Sequence, residues 1–585
     1  MANSLFRKKE IKSILAEGSD DGHGTGLKRV LTARDLTFFG IAAIIGAGSF
    51  SSLGEAVFKG GPGVVVLFII TGIACAFTAF CYSEFASRIP VAGSAYTYSY
   101  ASFGELFAWI IGWALIMEYS IGNIYVAFSW SDYFTSFLHK VNIHIPDYLA
   151  TSYKEAQKAV EQGSSNKDLI NAWNSAPIAG GIRMILDLPA IVINLLITYL
   201  VYRGIKESRN FSNVMVILKL AIVILVILVG GGIVFSNGLS FNWTPADDEG
   251  IRSFMPNGFS GVMAAVSGVF FAYIGFDAVS VLAEEAKNPQ RDLPRGMILS
   301  LVICTIVYIL LTLVLTGSVN YRNFEGVGDP LAFIFEEQNL NIAWMQLLVS
   351  ICAVIAMTSV LLVFQMGQPR IWMSMSRDGL LPPAFQKIHH KFKTPSFATI
   401  VTGLLVGVPI LFTDKSFVLD FTSIATLFAF VLVCGGVLLI PRKEKVPGRF
   451  SLPYINGQFM YPLIIAAAIV LVAVYGNGYF KDAFNFDFSG NEDYTSGKVS
   501  FMDLATPKLS IIIFWSVCIL LSILTFIKKY SLIPLMGVTT CLYLLTGMTK
   551  SNWAWFLGWL GLGLIVYFIY GYRNSKLAKK TEPAS

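Results

Sequence analysis

One lysine lies where a charge is expensive. Lys219 sits within Val214-Met215-Val216-Ile217-Leu218-Lys219-Leu220-Ala221-Ile222-Val223, about two turns from the nearest polar flank. An ammonium at the centre of a membrane helix costs about 2.5–3.5 kcal/mol, so this side chain is expected to face a cavity or a partner. Burial disfavours its charged form, which suits it to taking up and releasing a proton. The competing reading is a lysine that snorkels to the interface, with one direction of escape because the run stays apolar beyond it. Glu118, mid-run in Trp113-Ala114-Leu115-Ile116-Met117-Glu118-Tyr119, is the acidic counterpart, either for Lys219 or for a substrate cation. Asp277 follows Ala272-Tyr273-Ile274-Gly275-Phe276 and reads either as a cap on an unwound segment or as a direct participant in transport. Glu84 lies nearer the end of its apolar run and reads as a gate or packing residue.

Two glycine-containing breaks accompany these charges. Gly46-Ala47-Gly48-Ser49 interrupts the first apolar segment, and the stretch around Gly275 interrupts the sixth. Both fall near mid-membrane, five helices apart. Breaks in corresponding positions point to inverted five-helix repeats around a central binding site. The alternative is that these glycines serve close helix packing.

Several chemistries lack their residues. There is no GxxxxGK[ST] loop to cradle nucleotide phosphates, no HExxH, and no GxSxG elbow in an apolar segment. The five histidines (His23, His139, His144, His389, His390) fall in loops or at segment ends. None of the seven cysteines forms a CxxC pair, so neither a zinc site nor a disulfide framework is indicated. No metal, cofactor or ATP is expected. The pI of 8.7 does not indicate nucleic acid, because the basic residues are scattered among loops.

The elements that must position these residues are membrane helices. The 585 residues are 55% hydrophobic and 14% charged, far less charged than a soluble chain. Apolar runs long enough to span a bilayer predict about fourteen helices, near 36–57, 63–88, 101–136, 184–202, 211–236, 258–283, 297–317, 342–366, 396–413, 418–440, 458–480, 508–527, 531–547 and 553–572. The third exceeds what the bilayer needs and should tilt or project. Lys and Arg concentrate in alternate loops on the N-terminal side, which predicts two cytoplasmic termini. Loop 137–183 then lies outside, polar, with a short helix around 151–173, as a lid or an ornament. Arg7, Lys8, Lys9 and Lys12 make the first segment polar, and no cleavable signal peptide is expected. The fold class is all-α and polytopic. Its division is a cytoplasmic segment 1–35, a first repeat 36–236, a second 258–440, four further helices over 458–573, and a cytoplasmic tail 574–585.

Longer motifs carry a resemblance. Cys81-Tyr82-Ser83-Glu84-Phe85-Ala86-Ser87-Arg88-Ile89-Pro90, then Ala92-Gly93-Ser94-Ala95-Tyr96-Thr97-Tyr98, resembles the junction of the second and third helices in cationic amino acid transporters of the amino acid–polyamine–organocation superfamily. Gly104-Glu105-Leu106 and Gly112-Trp113 continue it. So do Glu284-Glu285-Ala286-Lys287-Asn288-Pro289-Gln290-Arg291-Asp292-Leu293-Pro294 after the sixth segment and Gln368-Pro369-Arg370 through Ser376-Arg377-Asp378-Gly379-Leu380-Leu381-Pro382 in the loop after the eighth. Tyr567-Phe568-Ile569-Tyr570-Gly571-Tyr572-Arg573 is similar to the last helix. The resemblance runs from about residue 27 to residue 576.

The resemblance implies a ten-helix inverted-repeat core with broken helices and four C-terminal helices. It implies that Ile44, Gly46, Ala47 and Gly48 form the substrate site of the first break, with backbone N–H groups holding a carboxylate. It gives the ammonium to carbonyls of Phe271, Ala272 and Ile274. Lys219 matches the fifth-helix lysine that stands, in sodium-independent members, where related carriers bind sodium. Two positions depart from the pattern. Ser49 replaces the usual Ile or Val, and Met357 is bulkier than its counterpart in mammalian cationic carriers, which would shorten the side-chain pocket. The expected function is sodium-independent, proton-coupled alternating-access transport of small or medium neutral L-amino acids across a cell membrane. Its expected partners are the amino acid, protons and the bilayer. The rivals are a carrier or exchanger of Arg and Lys, and a membrane amino-acid sensor. The missing motifs disfavour a membrane-embedded enzyme.

Overall fold

The computed structural model describes residues 5–10, 31–46, 48–89, 94–161, 163–164, 166–179, 181–204, 209–246, 250–283, 286–392, 394–439, 449–476, 478–489, 494 and 499–581. The first expected span is α1 (Ala33–Ile44) and α2 (Leu53–Gly60), joined through a π turn at Gly48–Ser52. Then come α3 (Val64–Arg88), a short α4 (Ser94–Ser102) and α5 (Glu105–Lys140). Two small helices follow, α6 (Tyr153–Glu161) and α7 (Lys167–Ser175), then α8 (Leu188–Arg203) and α9 (Arg209–Ser236). The sixth span is α10 (Gly258–Ala264) and α11 (Val266–Phe271), followed by a 3-10 turn at Phe276–Leu282. After it run α12 (Pro289–Ser318), a single-turn α13 (Pro330–Phe333), α14 (Ala343–Arg377), α15 (Ser396–Ile410) and α16 (Lys415–Leu439). The last four are α17 (Gly457–Tyr475), α18 (Phe501–Lys528), α19 (Leu532–Leu545) and α20 (Lys550–Val566). Each of the fourteen expected segments is therefore helical over most of its length. The strands among the described residues are one small pair, Ile178–Ala179 with Ile182–Arg183, in the loop after α5.

Three expectations need correction. The third helix starts at Glu105, not near 101, because Gly104 takes φ 105° and separates it from α4. Its 36 residues span about 54 Å, well beyond the ~30 Å hydrocarbon core. The motif Gln368-Pro369-Arg370 lies inside α14, not in a loop. Pro369 removes one backbone hydrogen bond, but Ile371, Trp372 and Met375 beyond it are buried, and that packing carries the helix on to Arg377. The outer loop holds two helices where one was expected.

Packing follows the repeat. The second and seventh spans (α3, α12) pack together, as do the third and eighth (α5, α14) and the fourth and ninth (α8, α15). α9 rests on α1 as α16 rests on α11, and α9 meets α14 as α16 meets α5. These are the pairings that exchange of two five-helix halves produces, and an odd number of spans per half inverts the second. A polar seam fixes α5, α8, α14 and α15 together. Asn123 Nδ2 donates to Gln365 Oε1 at 2.6 Å, Gln365 Nε2 to Thr198 Oγ1 at 2.9 Å, and Asn194 Nδ2 to the Gly403 carbonyl at 3.1 Å. Side chains such as Leu463, Val474, Ile513 and Ile527 on α17 and α18 point outward, the arrangement of a lipid-facing edge.

Glu105, fully buried at the start of α5, gathers three hydroxyls. Tyr100 donates at 3.1 Å, Tyr567 at 3.0 Å and Ser575 at 2.5 Å, joining α5 to the chain's last turns. Glu105→Ala strands these donors, at about 1–3 kcal/mol for each one left unpaired. The thermal midpoint in detergent should fall clearly for Glu105→Ala and less for Glu105→Gln, which keeps an acceptor. An unchanged midpoint for the alanine variant would refute this anchoring role.

Candidate functional site

A helix interrupted inside a membrane strands backbone groups away from water. α1 ends at Ile44, with Ile45 turned to φ −78°, ψ 90°. The orphaned carbonyls at that end have specific takers. Lys219 Nζ, from α9, donates to the Ala42 carbonyl at 3.2 Å. The ammonium thus lies at the negative end of a half-helix dipole, where a cation is favoured. The Tyr308 hydroxyl, from α12, lies 2.9 Å from the Ile44 carbonyl and 2.7 Å from the Ala272 carbonyl. One hydroxyl therefore bridges both broken helices. Beyond the break, Ser49 Oγ donates to the Gly46 carbonyl at 3.1 Å, and Ser52 Oγ lies within reach of the carbonyls of Gly48 (2.7 Å) and Gly268 (2.9 Å).

The two breaks touch. A Cβ at Gly48 would come within 2.5 Å of the Ala272 Cα, so only glycine allows this approach. Gly275, at φ 117°, lies against the Ala43 backbone, and a Cβ there would sit 2.9 Å from the Ala43 carbonyl carbon. α14 closes another side. Val360 packs against Gly46, and Met357, one turn earlier on the same helix and fully buried, lies on the same face.

Ile44, Gly46, Gly48, Phe271, Ala272, Ile274, Met357 and Lys219 therefore come from α1, α9, α11 and α14 to the neighbourhood of the facing breaks. Ala47 lies outside the described residues. The expected ammonium acceptors are partly engaged here: Phe271 accepts from the Ile274 N–H at 3.1 Å, and Ala272 from Tyr308. Asp277 is buried among the backbone N–H groups at the start of its own turn, beside Gly275 and Ala278. Among the described residues no ion pair joins Glu118 to Lys219. Glu118 is instead buried in the neighbourhood of Asp277 and Thr426. Glu84 pairs with Arg88 at 2.5 Å and accepts from the Leu452 N–H at 2.7 Å, an anchor between α3 and the segment before α17. Tyr308 escaped sequence reasoning. A tyrosine in an apolar run carries no spacing signal, and its partners are backbone atoms of two other helices.

The face that carries residues 137–183 holds a cavity of about 1020 Å³ lined by α5, the outer loop and the segment between α12 and α14. Its wall is acidic. Burial first, then the nearby Asp132 charge, pushes Glu155 up to about 8. Burial likewise pushes Asp329 up to about 7, against a hydrogen bond from Ser136. Glu155 is therefore mostly protonated near neutral pH, and Asp329 stands near its midpoint.

Facing broken helices at the centre of two inverted five-helix halves define a membrane protein of the broken-helix carrier class. The chain belongs to the amino acid permease family, whose model matches residues 31–490. It is 41% identical to the branched-chain amino acid permease of Bacillus subtilis (strain 168) over 454 residues, 77% of this chain and 89% of that protein. It is 40% identical to the methylthioribose transporter of the same organism over 477 residues, 81% of this chain and 93% of that protein. It is also 31% identical to the vacuolar cationic amino acid transporter 2 of Arabidopsis thaliana over 638 aligned positions, covering 98% of this chain and 93% of that protein.

Tyr308→Phe leaves the Ile44 and Ala272 carbonyls short of a donor, and a bound ammonium can replace what was lost. The empty variant should unfold at lower temperature than the empty wild type. Saturating substrate should then raise the variant's midpoint by more than it raises the wild type's. Equal substrate-induced shifts in the two proteins would contradict this role.

Proposed function

We propose that the protein is a sodium-independent, proton-coupled carrier of small or medium neutral L-amino acids in a cell membrane, with both termini cytoplasmic. The observation that carries the reading is Lys219 on the Ala42 carbonyl, at the end of a half-helix whose break faces a second break. In this reading the backbone N–H groups at Gly46–Gly48 hold the substrate carboxylate, since a half-helix N-terminus favours an anion. Carbonyls at the end of α11 and at Ile44 take the ammonium, displacing Tyr308 or sharing with it. Protonated, Lys219 ties α9 to α1 and favours the closed site. Neutral, it cannot hold the carbonyl in the same way, and α1 is freed to swing. Glu118 and Asp277, buried together on the other side of the second break, provide a further place for charge to rearrange. Sodium binding needs oxygen ligands, and an ammonium in that place repels it.

Substrate choice follows from Met357 and from the relatives. The matched bacterial relatives carry branched-chain amino acids and methylthioribose, and the plant relative cationic amino acids. A bulky buried Met357 beside the break leaves little room for a guanidinium. A carrier of Arg and Lys is the second reading. The non-transporting sensor is discriminated by uptake alone.

Purified protein in liposomes should accumulate neutral amino acids under an inward proton gradient, with no effect of replacing sodium by potassium. Lys219→Ala should lose gradient-driven accumulation by about tenfold or more, the equivalent of ~1.4 kcal/mol of coupling. Lys219→Arg should not restore it, because arginine stays protonated. Full proton-driven uptake by Lys219→Ala would end the coupling model.

Met357→Ser should admit longer side chains, raising the competition of arginine or lysine against alanine uptake by roughly tenfold. The size argument fails if the wild type already prefers arginine to alanine, valine and leucine in a panel that also includes methylthioribose.

A further inference from the structure

The floor of the outer cavity is charged and connected to the breaks. Lys415, at the start of α16, forms a short ion pair with Asp132 on α5 and lies 3.4 Å from the Gly328 carbonyl in the segment between α12 and α14. The ammonium also stands over the Tyr125 ring, 5.6 Å from its centroid. Tyr125 packs its ring 4.5 Å from that of Phe271 and points its hydroxyl at Ser51 Oγ, 3.5 Å away. Ser51 donates to the same Gly328 carbonyl at 3.0 Å. One point thus ties α5, α16, the segment before α13 and the π turn of the first broken helix. It lies between the cavity, whose wall includes Asp132 and Gly328, and the facing breaks.

We propose that Asp132 and Lys415 form an outer latch. Closed, the pair holds Tyr125 across the outer approach to the breaks. Opened, it frees α16 and Tyr125 to move and joins the cavity to the site. The position of the pair suits such a switch. Its side chains keep 13% (Lys415) and 31% (Asp132) of their surface exposed, so the pair is shielded more than one in open water yet remains within reach of solvent. Breaking it costs far less than separating a fully buried pair. Further carboxyl groups surround the pair. Glu155 faces both members from the outer loop, Asp329 faces them from the segment before α13, and Asp414 adjoins Lys415 but is held by Lys158 at 2.8 Å. An ammonium leaving Asp132 therefore has other carboxyl groups to move between. The latch rests on the proposed transport reading only for what it guards.

The test reads the latch without requiring transport. Ser51→Cys places a thiol at the Gly328 carbonyl that Lys415 also approaches, and the seven native cysteines are all buried. A membrane-impermeant methanethiosulfonate reagent is applied from the cavity side of intact vesicles. The reagent should label the introduced thiol slowly when the pair is intact. Adding Asp132→Asn or Lys415→Met should speed labelling about fivefold or more, the equivalent of ~1 kcal/mol. Exchanging the charges, Asp132→Lys with Lys415→Asp, should slow it again. Raising salt from about 0.05 M to about 1 M should speed labelling with the pair intact and change little in Asp132→Asn, an arm that needs no new fold. Equal labelling rates with and without the pair, or a salt effect that survives Asp132→Asn, would overturn the latch. Failure of amino-acid uptake with these labelling differences present would instead overturn the transport reading and leave the latch standing.

Discussion

A helix broken at mid-membrane exposes carbonyls and N–H groups where no water can satisfy them, and the centre of this protein is arranged around that debt. The carbonyls at the end of α1 are met by an ammonium from α9 and a hydroxyl from α12. The serines of the π turn bond back to Gly46, Gly48 and Gly268. Asp277 is buried in the turn after the second break. A substrate with a carboxylate and an ammonium presents the acceptor and the donors such a site can exchange against these internal partners. In the proposed mechanism, binding and the opening of the break compete for the same backbone hydrogen bonds.

Around that centre the helices are joined in two different ways. The third, fourth, eighth and ninth spans are joined by amide and hydroxyl bonds, which hold their register inside an apolar medium. The broken spans approach each other through glycine backbone, Gly48 against Ala272 and Gly275 against Ala43. Lys219 and Tyr308 add the side-chain hydrogen bonds that join α9 and α12 to the backbone of the broken spans.

The polar outer cavity belongs to a different electrostatic regime from the breaks. It is lined by polar and acidic side chains, burial raises Glu155 among them, and ion pairs join its helices. At the breaks the same work is done by carbonyls and hydroxyls. Tyr125 bridges the two, with a cation over its face and an aromatic neighbour at its edge.

Sequence alone determined the class of this protein. Apolar run length predicts helices because a bilayer admits little else, and each of the fourteen expected segments coincides with helix. The cost of a charge in lipid singled out Lys219, and repeated punctuation located both breaks. Sequence could not assign partners, because a partner is a matter of distance between segments hundreds of residues apart. Glu118 and Lys219 have complementary charges in two apolar runs, yet the fold turns Glu118 toward Asp277 and Thr426 and brings Lys219 to a backbone carbonyl. The resemblance places Pro369 in the loop after the eighth segment, and burial of the turns beyond it keeps the helix intact. Tyr308, Asp132, Lys415 and Tyr125 gain their meaning only when packing converges four separate elements. Local chemistry fixed which groups needed partners, and tertiary packing decided which partners they have.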